Sequence, residues 1–171
     1  MRKLIACILI AATLIVTTPN VAHAAALGTT EPEKQPMIIK VSDAEIDMLA
    51  QLVYAEARGV DSKAERAAVI WCALNRVDDS RWPDTIEAVV KQGSQFAYSE
   101  DAPIKEELRE LAADVVQRWV NEQLGAADVG RVLPMEYVYF AGRGGHNWFR
   151  TWYSGGHGYW DWSLPDPYEE D

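Results

Sequence analysis

The chain has 171 residues, with 16 basic and 26 acidic side chains and a formal net charge of −10. That balance lacks the basic footprint that a phosphate backbone requires, so nucleic acid is excluded as an expected partner. A basic patch gripping an anionic surface is excluded on the same ground. The two cysteines, Cys7 and Cys72, offer no CxxC spacing for zinc, and no metal or other cofactor is expected.

Arg2 and Lys3 precede an apolar run over residues 4–16, and Ala22-His23-Ala24 supplies a small-x-small cleavage site. The pattern predicts a secretory signal peptide over residues 1–24, too short and wrongly flanked for a membrane span. No later stretch is long and apolar enough to cross a bilayer, so a secreted protein is expected. The following 147 residues carry 14 basic against 26 acidic side chains, a net charge of −12, and suffice for one domain. They keep only Cys72, which cannot form an internal disulfide and sits in the run Val69-Ile70-Trp71-Cys72-Ala73-Leu74 as a buried thiol. Residues 25–41, with Gly28, Pro32 and Pro36 among mixed charges, read as a flexible tether, and residues 42–171 as the domain.

Residues 46–59 read as one amphipathic helix. At helical spacing Leu49, Ala50, Val53 and Ala57 share a side, and Glu56 falls within about 50° of the centre of that stripe. Asp43, Glu45 and Asp47 lie in the first turn, where they suit the helix dipole. Glu56 lies in the last turn, where the carbonyl ends and apolar neighbours disfavour an anion and favour a carboxyl able to donate a proton. A glutamate on the rim of the stripe would instead reach solvent, and the wheel alone leaves both readings open.

Ser42-Asp43-Ala44-Glu45 and Ser62-Lys63-Ala64-Glu65 are capping boxes that start the first two helices, and Gly59 offers a left-handed end to the first. The second runs to about Val77, with Ala64, Ala67, Ala68, Trp71 and Leu74 on one face. Pro83 and Asp84 open a short helix over 85–91. Residues 92–99 show no periodicity and read as a loop or short ribbon. Pro103 opens the longest helix, to about Leu124 with Gly125 as its cap, and Ile104, Leu108, Leu111, Val115 and Trp119 read as its core face.

From Tyr137 onward the helical period disappears. Tyr137-Val138-Tyr139-Phe140 has strand propensity, glycines follow, and eleven of the seventeen aromatics lie between Tyr137 and Tyr168. Such rings can stack on sugar faces or build the core of a thin sheet. Tyr139 is expected to line a cleft and Trp148 to be partly exposed. His146 and His157 lack an acid at ligand spacing. The fold class is α+β, mainly α, with a small β-rich aromatic C-terminal part.

Leu52-Val53-Tyr54-Ala55-Glu56-Ala57-Arg58-Gly59, Ala67-Ala68-Val69-Ile70, Leu74-Asn75-Arg76-Val77 and Trp82-Pro83-Asp84-Thr85-Ile86 resemble, in order and spacing, the cell wall hydrolase family typified by the spore cortex-lytic enzyme SleB. The tail is similar to a branch of that family through His146-Asn147-Trp148-Phe149-Arg150 and Trp160-Asp161-Trp162-Ser163-Leu164-Pro165. The resemblance implies a lysozyme-like helical domain, located at the cell wall or outside the cell, that acts on peptidoglycan glycan strands with Glu56 as catalytic acid. It suggests a lytic transglycosylase cleaving between N-acetylmuramic acid and N-acetylglucosamine. Gln95, Tyr98, Tyr139 and Asn147 are the candidates for holding the glycan, and a monomer is expected. Two alternatives stand: a hydrolysing muramidase in which Asp61 or Glu100 activates water, and a glycan-binding module without catalysis.

Overall fold

The computed structural model describes residues 39–154 and 158–169. The expected signal peptide, residues 25–38 of the expected tether, and His157 lie outside them. Ile39 and Val41 already pack against the core, ahead of the first helix.

Helix α1 (Asp43–Ala57) begins with both halves of a capping box: Ser42 Oγ accepts the Glu45 amide, and the Glu45 carboxylate accepts the Ser42 amide at 2.9 Å. Leu49, Ala50, Leu52, Val53 and Ala57 form its buried stripe. Gly59 does not make the left-handed turn expected of it. A tight turn, Val60 N–H to Ala57 O at 3.0 Å, follows the helix, with Arg58 still right-handed.

Helix α2 (Lys63–Asp78) is the axis of the domain. Its ten consecutive residues from Ala67 to Arg76 are all buried, which a helix permits only when it is surrounded. Helices α1, α3 (Ile86–Val90) and α4 (Glu106–Gln123) all pack against it. Cys72 is fully buried there, as expected, and burial pushes its thiol up to about 12, a group that stays protonated and unreactive.

Helix α4 starts at Glu106 rather than at Pro103, with Lys105 as an N-cap that makes no side-chain hydrogen bond. Ile104 therefore precedes the helix and is exposed, a correction to its assignment to the core face; Leu108, Leu111, Val115 and Trp119 are buried as expected. At the other end Gly125 takes φ +93°, donating to Glu122 O while Ala126 donates to Asn121 O, so a Schellman turn closes the helix. Among the described residues no helix is long and apolar enough to cross a membrane.

Strands β1 (Tyr139–Arg143) and β2 (His146–Arg150) form an antiparallel hairpin in which Tyr139 faces Arg150 and Arg143 faces His146. The strand begins two residues later than Tyr137, for a physical reason. Asn75 Nδ2 donates to Tyr137 O, and Arg76 Nε donates to Val138 O at 2.7 Å, so side chains of α2 occupy carbonyls that a ladder would otherwise use. Gly144 and Gly145 close the hairpin with φ of +64° and +81°, the two left-handed positions of a type I′ turn. The architecture is α+β and mainly α.

Candidate active site

Glu56 is half-buried in the last turn of α1. Its Oε1 accepts the backbone N–H of Ala97 at 2.5 Å, and its Oε2 makes no hydrogen bond among the described residues. The loop that carries Ala97 is itself tied to α1. Gln51 Nε2 donates to the carbonyls of Glu100 and Ala102 at 2.8 and 2.9 Å, and its Oε1 accepts the Tyr98 hydroxyl at 3.3 Å. One helix thus anchors the loop at Gln51 and presents Glu56 to it five residues later.

The Leu74-Asn75-Arg76 stretch of α2 supports the site from below. Leu74 is core. Asn75 donates to the carbonyls of Pro134 and Tyr137 at 2.8 and 3.0 Å, and accepts from Arg131, whose guanidinium forks onto the Glu122 carboxylate. Arg76 is buried, with its guanidinium 4.2 Å from the Trp82 ring centre and 4.4 Å from that of Phe96. Burial lowers its pKa from the ordinary value, yet an arginine remains charged, and the electron-rich ring faces stabilise that charge. Through Val138 O and, at 3.4 Å, Gln95 Oε1, Arg76 links α2 to the start of β1 and to the 92–98 loop.

The hairpin is fastened by Glu65. Ser62 caps α2 by accepting the Glu65 amide, but the Glu65 carboxylate does not return to Ser62 as Glu45 does to Ser42. It turns inward, buried, accepting the Asn147 amide with Oε1 while Oε2 lies 3.0 Å from His146 Nδ1. Asn147 Nδ2 in turn reaches Glu56 O at 3.4 Å, a carbonyl at the helix end that lacks an intrahelical partner.

Between the end of α1, from Ala55 to Val60, and the hairpin from Gly142 to Asn147 lies a cleft of about 380 Å³. Glu56 and Asn147 both line it; Gln95, Tyr98 and Tyr139 do not. Gln95 is exposed beside Arg76, and Tyr98 is half-buried on Gln51. Tyr139 is half-buried, edge-on to Trp82 and Tyr153. Of the other acids considered, Asp61 is exposed in the α1–α2 connection, and Glu100 pairs with Lys91 at 2.7 Å, whose hydrogen bond holds that carboxyl below its usual range. Trp148 is exposed, as expected, and meets Tyr159 edge-on over a small groove that shares Arg143 with the cleft.

Sequence reasoning weighed Glu65 as a possible partner acid that also fits a cap, and His146 as a histidine without a nearby acid, but missed that the two pair. Glu65 was absorbed into a capping box, and the acid partner of His146 lies 81 positions upstream, beyond any ligand spacing. A signal was present: Glu65, Ala68 and Cys72 share a helical face, so the box glutamate points toward the core. Among the described residues no three His, Cys, Asp or Glu side chains come together as a metal site.

A family model described as Cell Wall Hydrolase matches residues 61–154. The chain belongs to the cell wall hydrolase family. The match takes in Glu65, the Leu74-Asn75-Arg76 clamp and the whole hairpin, and begins five residues after Glu56. Membership gives this cell wall hydrolase a general role in hydrolysing peptidoglycan, the polymer of the wall. No curated protein and no solved structure matches the chain.

Proposed function

We propose that the protein is a secreted enzyme that cleaves the glycan strand of peptidoglycan between N-acetylmuramic acid and N-acetylglucosamine, as a lytic transglycosylase with Glu56 as its acid and base. One observation carries this reading: Glu56 is the only carboxyl group among the described residues that line the cleft. Hydrolysis by the usual route needs two carboxyls flanking the bond. Intramolecular transfer needs one. Glu56 protonates the leaving glycosidic oxygen, then takes the proton of the muramyl 6-hydroxyl as that oxygen bonds to its own anomeric carbon. The nucleophile belongs to the substrate, and the product ends in an anhydro sugar.

The surroundings suit this work. The Ala97 amide holds one carboxyl oxygen and leaves the other for the substrate. Arg58 and Arg143 place two exposed cations on the cleft wall of an otherwise acidic protein, opposite which the carboxylates of the muramyl lactyl group or peptide stem can lie. Trp148 and Tyr159, beyond Arg143, offer ring faces and edges to further sugars along the strand.

Mass spectrometry of products from purified sacculi tests the proposal. Anhydromuramyl ends are expected. Reducing ends would make the protein a hydrolysing muramidase, and intact sacculi with bound protein would make it a glycan-binding module.

A further inference from the structure

We infer that His146 is a second substrate-contacting residue of the cleft, a hydrogen-bond acceptor for the glycan whose tautomer is fixed by the buried Glu65. The inference rests on the reading of this cleft as the glycan site, and goes beyond it by giving the cleft a second polar contact supplied by the hairpin.

The behaviour of Glu65 is the starting point. Two helices of this protein begin with the same Ser-x-x-Glu pattern, and only the first closes its box. At the second, Glu65 gives up the local bond and stands 5 % exposed against the hairpin. Anchoring the strand requires one oxygen, the Oε1 that accepts the Asn147 amide. The other oxygen faces His146 Nδ1 at 3.0 Å. A carboxylate oxygen accepts, so the contact assigns the ring proton to Nδ1, the tautomer in which Nε2 keeps its lone pair. A carboxylate behind one ring nitrogen is the arrangement that orients a functional histidine.

His146 adds little to the core, since its side chain is 67 % exposed. It stands on the cleft wall with Glu56, directly across the ladder from Arg143. Among the described residues, the charged groups around it are Glu65 from α2, Glu56 and Arg58 from the end of α1, Arg143 from β1, and Asp166 across the adjoining hollow. Among the described residues, the ionisable groups on the cleft wall apart from Glu56 are the two arginines and His146, and arginine only donates. A glycan strand carries hydroxyl and acetamido N–H donors, and an Nε2 lone pair takes one of them. Glu65 is then a positioning residue, acting through the ring.

The test uses a purified peptidoglycan tetrasaccharide and the Glu56→Gln protein, which on the reading above binds without cleaving. Adding His146→Ala should weaken binding about tenfold, the worth of one hydrogen bond, with the fold retained. His146→Gln, whose amide oxygen reaches the position of Nε2, should recover most of that loss. Nitrogen-15 NMR should show His146 protonated at Nδ1 in the wild type. In Glu65→Gln the new amide can donate to Nδ1 while its oxygen still anchors Asn147, so the tautomer should shift toward Nε2–H and binding should fall as in His146→Ala. Unchanged tetrasaccharide affinity in the His146→Ala background, or an Nε2–H tautomer in the wild type, would overturn the inference. Full cleavage by Glu56→Gln alone would instead overturn the catalytic reading, and the binding comparison would still decide the role of His146.

Discussion

The backbone amide of Ala97 donates to Glu56 Oε1 at 2.5 Å, joining the last turn of α1 to a loop 41 positions later. Because the donor is main chain, no side-chain substitution at 97 removes it except proline. Ala97→Pro should lower sacculus turnover about tenfold, since a hydrogen bond is worth about 0.5–1.5 kcal/mol and this one orients the carboxyl. Ala97→Gly, which keeps the N–H, should stay near wild type. Equal turnover in the two variants would show that the contact does not position the acid.

Arg76 should behave as a structural cation. Arg76→Lys keeps the charge but loses the planar fork that reaches Val138 O and packs against Trp82 and Phe96, and should destabilise the domain by about 1–3 kcal/mol in urea unfolding. Arg76→Ala leaves that carbonyl unpaired beside a cavity and should cost more, about 3–5 kcal/mol. A lysine variant as stable as the wild type would mean that the aromatic and carbonyl contacts contribute nothing beyond charge.

The C-terminal segment is held by Tyr168, whose hydroxyl donates to Asp114 Oδ2 at 2.8 Å beside Arg118. Burial pushes the Asp114 carboxyl up, but the hydrogen bonds from Arg118 and Tyr168 outweigh it and hold the group below its usual range. Its contribution is therefore present above about pH 3.9 and lost as pH falls through the lower folded value. Burial, then the bond to Asp114, raises the Tyr168 phenol above its usual value. The unfolded chain ionises first, from about pH 10, so the fold loses stability as pH rises past that point. Equilibrium unfolding across pH 2–11 should show both arms, and Tyr168→Phe should flatten the alkaline one. An unchanged alkaline arm in that variant would place its origin elsewhere.

The helices were legible because caps and periodicity are local. Ser42 and Glu45 form the expected box, Gly125 makes the expected cap, and the faces of α2 and α4 are buried along the expected stripes. What was not legible depends on long-range bonds. The start of β1 moved from Tyr137 to Tyr139 because Asn75 and Arg76, about sixty positions earlier, hold the preceding carbonyls. Ile104 has an apolar side chain at helical spacing, yet α4 begins after it. At the cleft, the wheel put Glu56 beside the buried stripe and left core side and solvated rim open, and the structure finds it half-buried at the cleft wall with Asn147 beside it. The pairing of Glu65 with His146 joins residues 81 apart, and no local pattern could announce it.

The central claim is that Glu56 carries the chemistry, and Glu56→Gln tests it most directly. The amide keeps the shape and still accepts from Ala97 N–H, but it neither gives nor takes the reacting proton. Release of muropeptides from purified sacculi, followed by mass spectrometry, should fall by at least about 10²–10⁴-fold, with the folded protein retained and still bound to the wall polymer. Wild-type release of anhydromuramyl products by Glu56→Gln would contradict the assignment.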